Sequence, residues 1–518
     1  MKMRDELGVF YENEQFAELF SHTGQPAISA WRLALITVMQ FAENLTDRQA
    51  ADAVRARIDG KYALALEMED AGFDDSVLSE FRMRLIEGGR ETSLLEAMLN
   101  RFKEMRLLKS RGKQRTDSMH ILAAIRCLNQ LELVHETLRH ALNELAVQAP
   151  AWLKRQVSPD WFDLYDQRIS NYLLPKKESE RQAWAERVGA DGIFLLEQVY
   201  LGGHHPELVE IAAVESLRQV WVQNFYEDKG QVRLRQQKDQ PPSSRRITPP
   251  YDLEARLSSK QETTWTGYKV HLTETCVADA PNLITNVETR TGTEPDHAVA
   301  GVVHHHLALK ARSPSEHFVD QRYMSVDHPV HARDDHNIDL MGVVPDDNSW
   351  RARQGGYDSR HFAIDWDNEV AICPQGYPSN SWSLAKTRSQ RPVVKTKFRR
   401  QDCRACPTIS LRTNNNEKRT TLTIVAPQVH FEAQQRARLR QQTAAFKEAC
   451  TLRAGIEGTI SQAPYALEAR RSRYRGMAKT HLQHLATAAA VNLLPAIVLL
   501  NKVPRSATPQ SHFALLAA

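Results

Sequence analysis

Three carboxylate side chains stand out because of the residues around them. Asp117 lies within "KQRTDSMHIL", Asp320 ends the apolar stretch "EHFVD", and Glu457 lies between two glycines in "LRAGIEGTISQ". Magnesium ions bind carboxylate oxygens. Two such ions about 3.5–4 Å apart activate the attacking oxygen and stabilise the leaving oxygen when a phosphodiester is cut. If folding gathers the three acids, we expect metal-dependent cleavage and transfer of a DNA strand.

Each acid alone has a more ordinary interpretation. Arg453 lies one helical turn before Glu457, and opposite charges at that spacing stabilise an exposed helix by about 0.2–0.5 kcal/mol. The case for a metal site therefore depends on all three acids together.

The glycines beside Glu457 are unusual in a segment with helical character. Leu452 and Ile456 have the spacing of one helical turn, yet Gly455 and Gly458 each cost about 1 kcal/mol relative to alanine inside a helix. Because glycine permits close approach, we expect these two positions to let a metal ion and the DNA backbone come near Glu457.

The first two acids lie in candidate strands: basic and polar residues lead into an apolar stretch around Asp117, and a short apolar stretch ends at Asp320. The predicted order is a strand in Lys113–Leu122, a long helical segment over 123–228, strands at Thr264–Cys276 and Asn282–Gly292, a helix at Asp296–Ala311 and a strand at Glu316–Met324. In a sheet of this order the first and fourth strands are neighbours, so that Asp117 and Asp320 would lie close together.

The remaining parts of the chain differ in character. Residues 1–110 have the pattern of short helices joined by turns, which fits either a helix-turn-helix carrying Arg82 and Arg84 or a plain helical bundle with solvated arginines. Residues 345–430 hold short β-like pieces among turn residues, and the chain is again helical after Val429.

Composition indicates a globular protein of more than one domain. The 518 residues are 42% hydrophobic and 25% charged, with a net charge of +4. The most apolar run, Leu485–Leu500, is shorter than the roughly 20 residues of a membrane span and contains Asn492 and Pro495. We expect a buried helix there, no membrane contact, and a cytoplasmic protein in a reducing environment.

Cysteine spacing raises the question of a structural zinc site. Cys403 and Cys406 form a C-x2-C pair, and Cys373 is a third candidate ligand. Structural zinc takes four ligands, so we favour buried thiols or a remnant site over bound zinc.

Basic segments break the overall charge balance locally. Arg473, Arg475 and Lys479 lie in "RRSRYRGMAKTH", and a second basic stretch spans Lys386–Arg400. Such segments bind DNA phosphates, although a solvated surface is the usual role of a charge run.

Several blocks in a fixed order carry a resemblance to a known family. They are "QRTDSMHILAAIR", "WTGYKVHLTETC", "APNLITNV", "HFVDQRYM", "DHNIDLMGVV", "CPQG", "DCRACP", "RAGIEGTISQ" and "RSRYRGMAKTHLQH". Over nearly its whole length the chain resembles the DDE transposases of bacterial insertion sequences. The resemblance implies that Asp117, Asp320 and Glu457 bind two Mg²⁺ or Mn²⁺ ions and that Arg453 contacts DNA or the active site.

The resemblance also implies a fold class and partners. We expect an α/β protein with an RNase H-like catalytic core, acting on double-stranded DNA at element ends and target sites, as a nucleoid-associated homodimer. The expected organisation is a helical DNA-binding domain at 1–110, the first core strand at 111–122, a helical insertion and linker at 123–250, core at 251–344, a β-rich insertion at 345–430, and a C-terminal helical part of the core at 431–518.

Some residues depart from the family pattern. Cys450 and Pro464 stand where related transposases often carry tyrosine and lysine, and Met119 and Arg322 replace small residues near the first two acids. These departures keep two alternatives open. The chain could be a catalytically inactive DNA-binding relic or regulator of its element, or a metal-dependent nuclease without strand transfer.

Overall fold

The computed structural model describes residues 2–21, 28–125, 128–169, 174–203, 205–260, 262–344, 355–412 and 421–500. For residues 2, 462–467, 499 and 500 it describes the backbone alone, so the side chain of Pro464 lies outside the described part of the chain.

The N-terminal residues are helical, as predicted. Helices span Lys2–Leu7, Ala30–Ala42, Asp47–Ala56, Ile58–Leu64, Ser76–Glu87 and Ser93–Glu104, and we call them the N-terminal helices. Thr46 caps one of them by accepting a hydrogen bond from the amide of Gln49. Arg82 is buried and its guanidinium contacts the carboxylate of Asp47, so Arg82 is neither solvated nor turned towards DNA.

The first strand of the central sheet, β1 (Gln114–Leu122), leads into a helical region. Its helices span Gln130–Gln148, Pro150–Gln156, Asp160–Leu164, Glu178–Tyr200, Pro206–Val209 and Ala212–Asn224, followed by the hairpin strands β2 (Phe225–Asp228) and β3 (Gln231–Leu234). Val134, Leu138, Leu195 and Leu217 are fully buried within it. This region therefore has a hydrophobic core of its own.

The central sheet continues with β4 (Arg256–Lys260), β5 (Thr263–Thr275), β6 (Ile284–Thr291), β7 (Glu316–Val319) and β8 (Asp339–Met341). Its order is β6–β5–β1–β7–β8, with β4 beside the first part of β5. Strand β5 is antiparallel to β1 and β6, whereas β7 is parallel to β1 and β8. The first and fourth strands predicted from the sequence are β1 and β7, and their predicted pairing is confirmed.

Two helices connect the parallel strands. The crossover helix (Asp296–Leu309) leads from β6 to β7, and the helix His328–His336 leads from β7 to β8. In the buried layer beneath the crossover helix, His304 Nε2 lies 2.8 Å from His317 Nδ1, and His317 Nε2 lies 2.7 Å from Thr116 Oγ1. These bonds join the crossover helix to β7 and β1, the strands that lead to Asp320 and Asp117.

A small β-rich region follows the central sheet. Its strands are β9 (Ala363–Asp365), β10 (Val370–Ile372), β11 (Ser379–Lys386), β12 (Pro392–Phe398) and β13 (Thr421–Val425), with a short helix at Arg400–Ala405. Strands β11, β12 and β13 form one antiparallel sheet, and β9 pairs with β10. Val394, Leu422 and Ile424 form its buried core.

The C-terminal part is helical. After the helix Gln428–Arg440 come the arginine helix (Ala444–Ala454), the glutamate helix (Ile456–Leu467) and the C-terminal helix (Met477–Leu500). The helical character predicted for Leu452–Gln462 is confirmed, and Gly455 is the single residue between the arginine and glutamate helices.

One hydrophobic core joins the ends of the chain to the central sheet. Leu33 and Phe102 of the N-terminal helices, Leu485 of the C-terminal helix, and Ile121 and Val270 of the sheet belong to the same buried cluster. The expected buried C-terminal helix is thus confirmed. Among the helices of the described residues, none has both the length and the apolar character needed to cross a membrane.

Candidate active site

The pairing of β1 with β7 brings the first two acids together. Thr116 of β1 pairs in parallel register with Val319 of β7, so the next residues, Asp117 and Asp320, lie side by side where this pairing ends. Neighbouring strands lie about 4.8 Å apart. Asp117 is still within β1, whereas Asp320 follows β7 and precedes a single helical turn at Gln321–Tyr323.

Burial and a neighbouring negative charge act together on Asp117. Burial raises the pKa of its carboxyl group, and the charge of Asp320 raises it further. The amide of Ser118 and the charges of Arg453 and Lys260 lower the same pKa, but they do not cancel the effect. Two carboxylates held this close are stabilised by a cation between them.

The third acid is linked to the first through an arginine. Arg453 Nη1 lies 3.2 Å from Asp117 Oδ2, and Arg453 Nη2 lies 3.5 Å from Glu457 Oε1. The side chains of Arg453 and Asp117 are 28% and 21% exposed, whereas that of Glu457 is 66% exposed. The helix-surface pair considered from the sequence therefore exists, and the same guanidinium also contacts Asp117.

Two of the three acids, Asp117 and Asp320, form a donor set that fits a divalent cation. Asp117 and Asp320 are adjacent acids with oxygen ligands, the type that Mg²⁺ binds. The guanidinium of Arg453 lies between the carboxylates of Glu457 and Asp117. Within the described ranges, no three histidine, cysteine or carboxylate side chains are clustered closely enough to hold a metal ion. The contact between Glu457 and Asp117 is therefore indirect and runs through Arg453.

A buried ion pair fixes the helices that carry Arg453 and Glu457. Arg115 on β1 donates from Nε to Glu274 Oε1 on β5 at 2.7 Å, and Thr459 on the glutamate helix donates to Glu274 Oε2 at 2.6 Å. Arg115 also donates to the carbonyl oxygen of Leu452 on the arginine helix. Burial raises the pKa of the Glu274 carboxyl group despite its contact with Arg115.

The two glycines beside Glu457 have different surroundings. A Cβ atom at Gly455 would lie 2.0 Å from Nη1 of Arg115, whereas a Cβ atom at Gly458 would meet no atom within 4 Å. The expectation that Gly455 leaves space for metal or DNA is therefore wrong, because the Arg115 guanidinium fills that space. At Gly458 the space is open, as expected.

The predicted DNA-contacting residues follow the glutamate helix. The amide of Leu122, at the end of β1, donates to the carbonyl of Arg470, and the amide of Ser472 donates to the carbonyl of Leu122, each at 2.8 Å. The basic segment thus starts at the edge of the sheet where Asp117 lies. Arg475 and Lys479 are exposed.

Arg473 is engaged within the protein. Its Nη1 donates to the carbonyl of Leu45 at 2.6 Å, its Nη2 contacts the side chain of Asn44, and its guanidinium lies 4.8 Å from the ring centre of Phe41. These contacts join the basic segment to the N-terminal helices. The role of Arg473 as a DNA contact stays a prediction.

Sequence reasoning missed the residues that support the acids. Arg115 and Glu274 each occur in a strand-like segment, but they are distant in sequence and no motif links them. A charged residue in an otherwise strand-like pattern was the available signal. Two histidines left unassigned from the sequence are also placed: the His120 ring lies 5.0 Å from that of Trp265, and His271 Nδ1 lies 2.5 Å from the hydroxyl of Tyr323.

The three cysteines considered for zinc line one small cavity of about 40 Å³ in the β-rich region. Cys406 Sγ lies 3.4 Å from Thr408 Oγ1. Among the described residues, no group of three potential metal ligands is found that would include these cysteines.

Two stretches of the chain match known families. Residues 372–495 match a family described as "Transposase DDE domain", and residues 2–84 match a family described as "Transposase domain (DUF772)". The first match contains Arg453 and Glu457, whereas Asp117 and Asp320 lie between the two matches. Searches of curated proteins and of solved structures gave no match.

Proposed function

Because the chain belongs to the DDE transposases of the insertion-sequence type, we propose that it cuts DNA at the ends of its element and joins those ends to target DNA with divalent metal ions. The pairing of β1 with β7 carries this proposal, since it sets Asp117 beside Asp320. Arg453 contacts both Asp117 and Glu457, and this shared contact supports the assignment of Glu457 to the same site.

We assign the central sheet to an RNase H-like core. The antiparallel run β6–β5–β1 followed by the parallel strands β7 and β8, with a helix crossing from β6 to β7, supports this assignment. On this assignment, the helical region between β1 and β4 and the β-rich region from β9 to β13 are insertions, and the N-terminal helices form a separate DNA-binding domain.

Asp117, Asp320 and Glu457 would hold two Mg²⁺ or Mn²⁺ ions. Bound ions would supply an activated attacking oxygen and a stabilised leaving oxygen. In their absence, Arg453 partly neutralises Asp117 and Glu457. If bound ions neutralised these acids, the Arg453 guanidinium would be free to bind a DNA phosphate with two parallel hydrogen bonds.

The basic segment beside the acids supports DNA as the substrate. Arg475 and Lys479 are exposed on the segment that begins at the end of β1. Exposed lysine and arginine side chains bind backbone phosphates and position the duplex. We propose that they hold the element end near the acids, that the N-terminal helices bind the terminal repeat, and that a nucleoid-associated homodimer holds the two ends.

Substituting the acids tests this function. Asp320→Asn or Glu457→Gln should lower cleavage of a duplex carrying the inverted repeat that flanks the coding sequence by roughly 10²–10³-fold or more. Binding of that duplex in a gel shift should remain, because basic side chains, and not these acids, are proposed to hold the duplex. Asp335→Asn, an exposed acid on the helix after β7, should leave both measurements unchanged. Cleavage by the Asp320 variant at the wild-type rate would refute the assignment.

The same assay separates the two alternatives. An inactive regulator binds the duplex but does not cut it with Mg²⁺ or Mn²⁺. The features of the sequence that favour it are the unusual residues Met119, Arg322, Cys450 and Pro464. A nuclease cuts the duplex but forms no product joined to target DNA. A joined product that depends on Asp320 supports the transposase.

A further inference from the structure

A cavity of about 300 Å³ opens beside the candidate active site, towards the other face of the central sheet. Successive side chains of a strand point to opposite faces, so Ser118 lines this cavity while Asp117 contacts Arg453. Arg322, two residues after Asp320, lines the same cavity. Residues next to both acids in sequence therefore build part of its wall.

The charged side chains of this cavity favour an anion. Lys269 lies 2.8 Å from the carboxylate of Asp296, so these two charges compensate each other. Lys260 and Arg322 also line the cavity and are exposed. Neither forms an ion pair or a hydrogen bond with a side chain among the residues that the structure describes. Two positive charges are thus left for a ligand.

We propose that this cavity, the Lys260–Arg322 pocket, binds a backbone phosphate and its sugar from the DNA that flanks the bond cut at the acids. The inference rests on the proposed transposase function, since it places the pocket next to the cleaved bond. The volume is at the lower end of the roughly 300–1,000 Å³ of small-molecule sites, which suits one unit of a DNA backbone.

The closeness of the pocket to the acids supports a position beside the cut. The charge of Lys260 acts on the carboxylate of Asp117, and Ser118 and Arg322 are close to the acids in sequence. In this proposal, the strand cut at Asp117 and Asp320 continues past the end of β7, where its neighbouring backbone meets Lys260 and Arg322.

Neutral backbone linkages test the pocket. The probes are duplexes that carry the inverted repeat flanking the coding sequence and extend into flanking DNA. Each duplex has a single methylphosphonate linkage, and the set places that linkage at each position around the cut in turn. Lys260→Gln and Arg322→Gln should each lower the slope of log affinity against log salt by about 1. One methylphosphonate in the flank should weaken binding by the wild-type protein but not by the double variant.

The control is Lys109→Gln. Lys109 is exposed and precedes the opposite end of β1, so this variant should keep both the wild-type slope and the methylphosphonate effect. Arg322→Lys should restore much of the slope lost in Arg322→Gln, which separates lost charge from misfolding. Equal methylphosphonate effects in the wild type and the double variant, at every position, would overturn the proposal.

The binding measurement requires no cleavage, so the two proposals can fail separately. If Asp320→Asn still cuts while the methylphosphonate result holds, the acid assignment fails and the pocket remains a DNA site. If Asp320→Asn abolishes cutting while the methylphosphonate effects are equal, the pocket fails and the proposed function stands.

Discussion

Arg453 is the residue on which the geometry of the candidate site depends. From the sequence it has two interpretations, a surface ion pair with Glu457 or an active-site contact. The structure combines them, since one guanidinium contacts both Glu457 and Asp117. A positive charge that neutralises two acids in the absence of metal competes with any ion that those acids bind.

Removing this competitor should strengthen metal binding. In Arg453→Gln we expect Mn²⁺ to bind about two- to fivefold more tightly, because ion pairs of partly exposed groups contribute about 1 kcal/mol or less. Calorimetric titration of the protein with Mn²⁺, without DNA, measures this change. Arg436→Gln is the matched control, since Arg436 pairs with Glu432 one helical turn away on another helix. Weaker Mn²⁺ binding in Arg453→Gln would show that the arginine supports the ions rather than competing with them.

At the level of elements, the strongly patterned segments were predictable from the sequence. The strand predicted at Thr264–Cys276 is β5, at Thr263–Thr275, and the helix predicted at Asp296–Ala311 spans Asp296–Leu309. Both have long runs in which the apolar period is clear. The short strand β4, "RLSSK", has a single apolar residue, and β8 has three residues in all. Such short strands form because a neighbouring strand of the sheet is available for pairing. The local sequence pattern does not contain that information.

The candidate site was predictable in part for the same reason. Strand order alone predicts that Asp117 and Asp320 meet, because it depends on segments with clear patterns. The position of Glu457 depends on the contact of Arg115 with Glu274 and Leu452. That contact joins three distant segments and has no local signal, whereas the two glycines indicate a weakened helix near Glu457.

The helix break at Gly455 can be tested with the two glycines. Gly455→Ala should lower the free energy of unfolding by about 1–3 kcal/mol, because its Cβ atom overlaps the Arg115 guanidinium. Gly458→Ala lies in the glutamate helix with open space around it, and it should raise the same free energy by up to about 1 kcal/mol. Urea unfolding measures both. Equal stability of the two variants would mean that Arg115 does not require the glycine.

At the scale of the whole molecule, the C-terminal helix connects the parts of the chain. It packs in one core with the N-terminal helices and with a face of the central sheet. Just before it, Arg473 reaches the carbonyl of Leu45 and the side chain of Asn44. A part of the molecule proposed to bind element ends is thus fixed to the segment that follows Glu457.

This connection predicts opposite behaviour for two basic residues that the sequence groups together. Arg473→Gln should lower the free energy of unfolding by about 1–3 kcal/mol through its lost hydrogen bonds, and it should leave the salt dependence of DNA binding unchanged because its guanidinium contacts protein. Lys479→Gln should keep the stability and lower the slope of log affinity against log salt by about 1, since Lys479 is exposed. Urea unfolding and binding titrations at several salt concentrations measure both effects. A lowered slope in Arg473→Gln at unchanged stability would mean that Arg473 leaves the N-terminal helices to bind DNA, so that these helices and the basic segment separate when the element end is bound.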